Sequence, residues 1–390
     1  VSVARVPEGA VPTTQRQLGW QRWRDRLLSN AGFQRWALAT PLVRLLARRQ
    51  AARLFELCAG FVHSQVLYSS VQLGLLDAVR DGALPFPELQ ERCALSPARL
   101  QLLLSATAAL GLTEPRAAGR HGLGPLGAAL MGNPAVLAMI EHQPLFYADM
   151  REPLALLRGD AEPGGLARFW AYADRGGAWP PGEAAVADYT TLMSSTQALI
   201  AEELLGAYPF ERHRCVLDVG GGEGAWLTAL ARRVPALKLM LLDLPAVAER
   251  ARARLAAAGL SVSVYGGDFT HSLPEGADLI TLVRVLHDHD DHTVVRALRA
   301  ARRALTPDGA LLIAEPMRAM PGSIAAAATY LDFYLLAMGQ GRVRTADEFT
   351  ELLRRAGFGS VRRHDTQRPW QCAVLSALPD GGRDDGRCKD

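Results

Sequence analysis

Cysteine is scarce in this chain. Five residues in 390, at positions 58, 93, 215, 372 and 388, are scattered and include no C-x-x-C pair. Neither a disulfide framework nor a thiolate zinc site is signalled. Lysine is scarcer still, occurring only at 238 and 389, so nearly all the basic charge is arginine. With so much Ala and Gly, that bias reads as codon usage. The net charge of +3 is too small to point to a nucleic-acid partner. No run of 18 or more apolar residues is present, so no membrane-spanning helix is expected. The amino-terminal stretch has no signal-peptide apolar region, and the expected address is the cytoplasm.

What is present divides into four stretches. Residues 1–53 open with a flexible leader (1–14) and continue as an Arg- and Trp-rich arm with helical apolar spacing, broken at Pro41. Residues 54–212 read as helical. The part from 54 to 82 has little polar face, as expected of a helix covered by a partner chain. In residues 84–114, Ser96-Pro97 marks a helix start, and the helix–turn–helix has winged-helix character. Its second helix offers one arginine, Arg99, followed by Leu and Ala, which suits packing better than base readout. A Gly/Pro loop lies at 176–183.

From residue 213 to 378 short apolar runs alternate with helical patterns at 225–233, 246–258, 292–305 and 346–356. That alternation predicts an α/β fold with a Rossmann-like, doubly wound parallel sheet. Residues 379–390 read as a disordered tail.

"DVGGGEGAW" follows the first of these strands and opens a helix. Glycines let the backbone approach a ligand at a helix N-terminus, and Gly220-x-Gly222-x-x-Ala225 meets a relaxed dinucleotide fingerprint. NAD and S-adenosylmethionine (SAM) must therefore be compared. Asp218 precedes the glycines, where it would repel a pyrophosphate but not the ammonium and sulfonium of SAM. Asp243 ends the second strand, placed for ribose hydroxyls, and Asp268-Phe269 follows the third, placed for an adenine. Ligands of open α/β sheets bind at the carboxyl ends of strands. SAM is the better fit.

"VLHDHDDH", residues 285–292, carries the spacing of a metallo-β-lactamase-type metal motif. A helix start accounts for its acids, with Asp290 or Asp291 as N-cap. The next histidine is His364, so further ligands are lacking and no metal is expected. His289 and His292 are expected on the solvent side of a turn. His287 is placed differently, at the rim beyond the fourth strand, where an imidazole suits general-base work. Glu315, ending the fifth strand, is the expected partner of its other nitrogen.

In order, "DVGGGEG", Asp243, "GDF", "RVLHDHDD", "AEPM" and "RTADEF" resemble the class I SAM-dependent O-methyltransferases of the acetylserotonin and plant caffeate type over residues 54–378. The resemblance implies an N-terminal helical dimerisation domain and a homodimer. It also implies SAM contacts from Asp243, Asp268, Phe269 and Arg284, His287 as base with Glu315 orienting it, and Met193 beside the substrate. Two positions depart from the pattern. His289 stands where the family reads Trp, and Val343 stands where the plant phenol enzymes carry a second Glu, which implies an apolar wall. The stretches 33–67 and 155–173 resemble a branch of the family from bacterial carotenoid synthesis, whose members methylate the tertiary 1-hydroxyl of an acyclic hydroxycarotenoid in the spheroidene pathway. The rival expectations are a phenol or polyketide O-methyltransferase and a non-catalytic, SAM-binding winged-helix regulator. Such a substrate resides in a bilayer, and the arm of residues 15–53 combines Trp20, Trp23, Phe33 and Trp36 with many arginines. It is expected to cover the partner subunit, to touch lipid at the inner membrane, or to do both.

Overall fold

The computed structural model describes residues 15–168, 196–321 and 325–381. The chain forms two compact units, residues 1–126 and 127–390.

The first unit begins with α1 (Gln15–Ser29), α2 (Ala31–Ala39) and α3 (Pro41–Gln72). Pro41 is the first residue of α3, where its missing N–H costs nothing. A second break, not anticipated, falls at Asn30, whose side chain accepts from Phe33 N at 2.9 Å and caps α2. α3 does not stop where the composition changes near residue 53. Its middle carries Leu54, Phe55, Leu57 and Phe61, between 66% and 80% exposed in the single chain.

Helices Leu75–Ala78, Phe86–Cys93 and Pro97–Ala109 follow, with a small antiparallel sheet of β1 (Leu84–Pro85), β2 (Thr113–Arg116) and β3 (Arg120–Leu123) in the order β1-β3-β2. This is the expected helix–turn–helix with a wing. Ser96 holds the N-cap position in extended conformation, but its hydroxyl makes no capping bond. The Pro97–Ala109 helix buries Leu100 and Leu104 against Leu75, Val79, Leu89 and Cys93.

The second unit carries helices Pro134–Asp149 and Pro153–Arg158 and a helical segment at 196–207. The leader 1–14, the 176–183 loop and residues 382–390 of the tail lie outside the described residues. The main sheet has seven strands: β4 (Cys215–Val219), β5 (Lys238–Asp243), β6 (Val262–Gly266), β7 (Leu279–Val283), β8 (Ala310–Glu315), β11 (Phe358–His364) and β12 (Ala373–Pro379). Their order is β11-β12-β8-β7-β4-β5-β6. Two short strands, β9 (Met317–Arg318) and β10 (Arg344–Thr345), pair in parallel beside it. Alternate residues of the central strands face opposite ways and both sets are buried. Leu217, Val219, Ile280 and Leu282 join one core, and Val216, Leu239, Leu241 and Leu279 the other. That explains the near-continuous apolar runs in the sequence. Helices Ala225–Arg233, Pro245–Ala257, Asp291–Ala304 and Ala346–Arg355 lie within a residue or so of the expected spans.

The sheet is mixed rather than parallel. β4 to β8 are parallel, but β12 runs antiparallel to β8, and β11, an edge strand absent from the expected set, runs antiparallel to β12. β11 reads FGSVRRH and buries only its first residue fully, so it shows none of the apolar continuity that marks the interior strands. Among the described residues no helix is long and apolar enough to cross a membrane.

Candidate active site

The carboxyl ends of β4, β5, β7 and β8 carry the residues singled out above. β4 hands over to Gly220, Gly221 and Gly222, with φ of +69° at Gly220 and +55° at Gly222. Close approach demands glycine most clearly at Gly221, where a Cβ would lie 2.6 Å from Asp218 Oδ2 and 2.9 Å from Leu241 Cδ1. Asp218 is 1% exposed, beneath the loop rather than on its open side. Its Oδ1 accepts from Thr281 Oγ1 at 2.7 Å. Burial pushes its pKa up to about 7, against the Thr281 bond. The charge attributed to it from sequence is therefore only partly present at neutral pH.

Asp243 ends β5 and ties the loop to the sheet, accepting from Gly222 N at 2.7 Å and Leu244 N at 2.7 Å. Burial raises its pKa in spite of those two bonds. Among the described residues no cation stands against it. A carboxylate with only backbone donors retains lone pairs for hydroxyl donors and offers nothing to a phosphate.

Beyond β6, Asp268 closes a turn on itself, accepting from Thr270 N at 2.8 Å and meeting His271 Nδ1 at 2.8 Å. Burial works against its charge, but the Thr270 and His271 hydrogen bonds prevail and hold its pKa below the ordinary value. Phe269 packs on the core, and its ring meets the His289 ring edge-on at 5.3 Å. This corrects the expectation for His289. It is not a solvent-side residue but an aromatic partner of Phe269, standing where the family pattern reads Trp. His292 is exposed in the first turn of its helix, as expected.

β7 ends in a kink. Arg284 takes φ +55°, a strained conformation for a side chain of this size, while its N–H still reaches Ala314 O at 2.8 Å. The chain then enters a single tight turn, Leu286–Asp288, which carries His287. Its Nδ1 lies 2.6 Å from Glu315 Oε2. Both side chains are buried, at 7% and 0% exposure. The other oxygen of Glu315 accepts from Val285 N at 2.8 Å and Leu286 N at 2.6 Å, so one carboxylate sets both the turn and the ring. Asp288, not anticipated, approaches Nε2 with Oδ1 at 3.2 Å. Burial alone would lower the pKa of His287, but the Asp288 and Glu315 carboxylates outweigh it and raise the imidazole above its ordinary 6.5.

The remaining acids of the motif have separate duties. Asp290 caps the Asp291–Ala304 helix, accepting from Thr293 N at 2.7 Å. Asp291 accepts from Arg342 Nη2 at 2.9 Å and Arg344 Nε at 2.9 Å. Among the described residues no group of three or more His, Cys, Asp or Glu could hold a metal ion.

Arg344 belongs to the "RVRT" segment, from which sequence reasoning took only Val343. Its side chain is fully buried and donates to Leu286 O at 2.8 Å and His289 O at 2.7 Å. It thus clamps both ends of the His287 turn. Lysine has no fork and cannot reach these oxygens and Asp291 together. Arg344→Lys is expected to lower kcat by about 10–100-fold with little change in SAM affinity. It should also cost about 2–4 kcal/mol of stability for the carbonyls left unpaired. Steady-state kinetics, calorimetry and thermal denaturation check it.

Val343 itself is buried with Leu335 and Met338 and lines an apolar depression with Pro316, Met317, Leu331 and Trp370, immediately after Glu315 in the chain. Met193 lies outside the described residues.

Residues 55–133 match the O-methyltransferase dimerisation domain and residues 178–359 the O-methyltransferase domain. The chain is 42% identical over 371 residues to demethylspheroidene O-methyltransferase of Cereibacter sphaeroides, spanning 94% of this chain and 97% of that protein. The chain belongs to the SAM-dependent O-methyltransferase family. This O-methyltransferase is also 32% identical over 352 residues to acetylserotonin O-methyltransferase of Mus musculus, covering 85% and 90% of the two chains. Its fold matches the SAH-bound calicheamicin-biosynthesis methyltransferase CalO1 with a TM-score of 0.70 and 25% identity, over 85% of this chain and 98% of that one.

Proposed function

We propose that this O-methyltransferase methylates the tertiary 1-hydroxyl of an acyclic hydroxycarotenoid, as a homodimer. Val343 carries the reading. Val343 is buried and lines an apolar depression with Pro316, the residue after Glu315, and it stands in the chain where the plant phenol enzymes carry a Glu. The name of the Cereibacter sphaeroides relative agrees with it.

The rim fits SAM. Asp243 takes the ribose hydroxyls, Gly220 and Gly222 let the backbone close in, and Asp218 supports the loop from beneath. Asp268 and Phe269 would hold the adenine, and Arg284 would complete the contact. When bound, SAM supplies a methyl group on a sulfonium. An alcohol is a far weaker acid than imidazolium, so His287 cannot ionise it beforehand. It would receive the hydroxyl proton on Nε2 while the alcohol oxygen takes the methyl carbon, the C–S bond breaking as the C–O bond forms and the thioether S-adenosylhomocysteine leaving. The proton and the new bond must therefore be aligned together, and positioning supplies most of the acceleration.

Purified protein, labelled SAM and a 1-hydroxylated acyclic carotenoid test the reading against a phenol panel. Label entering a phenol and not the carotenoid would sink it. Cofactor contact is tested separately. Asp243→Ala is expected to weaken SAM binding by about 1.5–3 kcal/mol, while Asp243→Asn, which keeps an acceptor for Gly222 N, should lose less. Equal affinity for all three proteins by calorimetry would remove Asp243 from the cofactor site.

A further inference from the structure

Residues 15–53 carry nine arginines and a single carboxylate, Asp25. All eight arginines from Arg22 to Arg53 are exposed. Among them stand large apolar side chains that no described residue of the single chain covers. Trp20, Trp23 and Trp36 are 57%, 59% and 53% exposed, and Leu42, Leu45 and Leu46 are 94%, 63% and 61% exposed. The aromatics are grouped. Trp20 and Trp23 meet edge-on at 6.1 Å, Phe33 and Trp36 lie 5.4 Å apart, and the Arg24 guanidinium sits 5.7 Å from the Trp20 ring centre. The Asn30 cap and the Thr40–Pro41 junction divide the arm into two short helices and the start of a long one.

We infer that this arm is a docking surface for an anionic lipid bilayer. Tryptophan is stable at the headgroup level, where the ring is buried and the indole N–H stays wet. Guanidinium groups pair with lipid phosphates in bidentate fashion. Interfacial helices combine these two side chains on an otherwise soluble chain.

Charge decides between lipid and a second copy of the chain. Arm packed on arm would bring nine arginines against nine, with one carboxylate on each side to offset them. The apolar stretch that suits a second copy is the next one along α3: Leu54, Phe55, Leu57, Phe61 and Val62, with only Glu56, Cys58 and His63 as ionisable neighbours from 54 to 63. That stretch coincides with the start of the matched dimerisation domain at residue 55. The two surfaces thus divide the work, the later one facing the partner copy and the arm facing phosphate.

The inference goes beyond the carotenoid proposal and does not depend on it, because lipid binding is read without substrate. The full-length protein is floated with vesicles of phosphatidylcholine containing about one-third phosphatidylglycerol, and with phosphatidylcholine alone. It should float with the first at least ~tenfold more than with the second, and the binding should fall as salt rises from about 0.05 to 0.5 M. Two variants follow: Arg22→Glu, Arg26→Glu, Arg44→Glu, Arg48→Glu combined, and Trp20→Ser, Trp23→Ser, Trp36→Ser combined. Both should lose flotation while keeping SAM affinity and the sedimentation of the parent. The inference is overturned if the parent does not float, if flotation ignores salt and lipid charge, or if the charge variant floats as the parent does. Dissociation of the dimer in either variant with flotation unchanged would also overturn it, assigning the arm to the second copy. The salt and lipid dependence of the parent needs no variant, so a misfolded variant leaves the test intact.

Discussion

His287→Ala is expected to lower turnover by about 10²–10⁴-fold and to leave SAM affinity nearly unchanged. The imidazole is buried between two carboxylates, 2.6 Å from Glu315 and 3.2 Å from Asp288. By contrast His292→Ala, at an exposed helix start, should be close to neutral. His289→Ala removes the ring that packs on Phe269 and should act on SAM affinity more than on the chemical step. A metal site would behave otherwise, with all three variants equally severe and chelators abolishing activity. The pH profile adds an independent reading. The neighbouring carboxylates raise the pKa of His287, and only the neutral ring accepts a proton, so kcat/KM should climb through an apparent pKa above 6.5. A histidine whose folded pKa exceeds its unfolded value stabilises the fold fully below the unfolded pKa and loses that contribution as pH rises through the folded one. The same rise in pH that frees Nε2 therefore removes the stabilisation of the charged cluster. A profile flat from pH 6 to 9 would show that His287 is not the base.

The parts of this molecule that could be read from sequence are those whose chemistry is local. β4, β5, β7 and β8 are buried on both faces, so each appears as a largely apolar run, and β4, β5 and β8 end in a glycine or an acid at the rim. The helices between them begin where Pro245, Asp290 and Thr345 allow. β11 could not be read this way, because an edge strand of Ser360, Arg362 and Arg363 looks like a loop until it is paired with β12. The same distinction divides the site. His287 and Glu315 could be matched because both lie at the ends of adjacent strands in a parallel sheet. The contact of Asp288 with Nε2 depends on the left-handed backbone at Arg284 and the tight turn after it, which no spacing encodes. The grip of Arg344 on the turn joins residues 55 and 58 positions apart, and in sequence the "RVRT" arginines look like surface charge. His289 illustrates a milder failure. Its neighbours are Asp and His, which suggest solvent, and only the fold brings Phe269 against it.

Glu315→Gln should prove nearly as severe as removal of the base, and for a reason that can be traced atom by atom. The carboxylate has two distinct oxygens. Oε1 accepts from Val285 N and Leu286 N, and Oε2 faces His287 Nδ1 at 2.6 Å. A glutamine can satisfy the two backbone donors only by turning its carbonyl oxygen toward them, since the reverse orientation would set an NH₂ against two N–H groups. The amide NH₂ is then aimed at His287 Nδ1. Nδ1 must become the acceptor, and the ring proton moves to Nε2, the nitrogen that has to receive the substrate proton. Size and packing barely change, yet the base is held in the wrong tautomer, a defect that costs about 10⁴-fold where a triad carboxylate is exchanged for its amide. Turnover should fall by about 10³–10⁴-fold, with SAM affinity retained and a thermal midpoint close to that of the parent. Glu315→Ala differs in a telling way. It leaves two buried backbone N–H groups without an acceptor, at about 1–3 kcal/mol each, so it should lose stability as well as rate. Nitrogen-15 NMR of the imidazole distinguishes the two tautomers directly. A Gln variant whose His287 still carries its proton on Nδ1, or whose turnover falls by less than about tenfold, would mean that Glu315 does not orient the base.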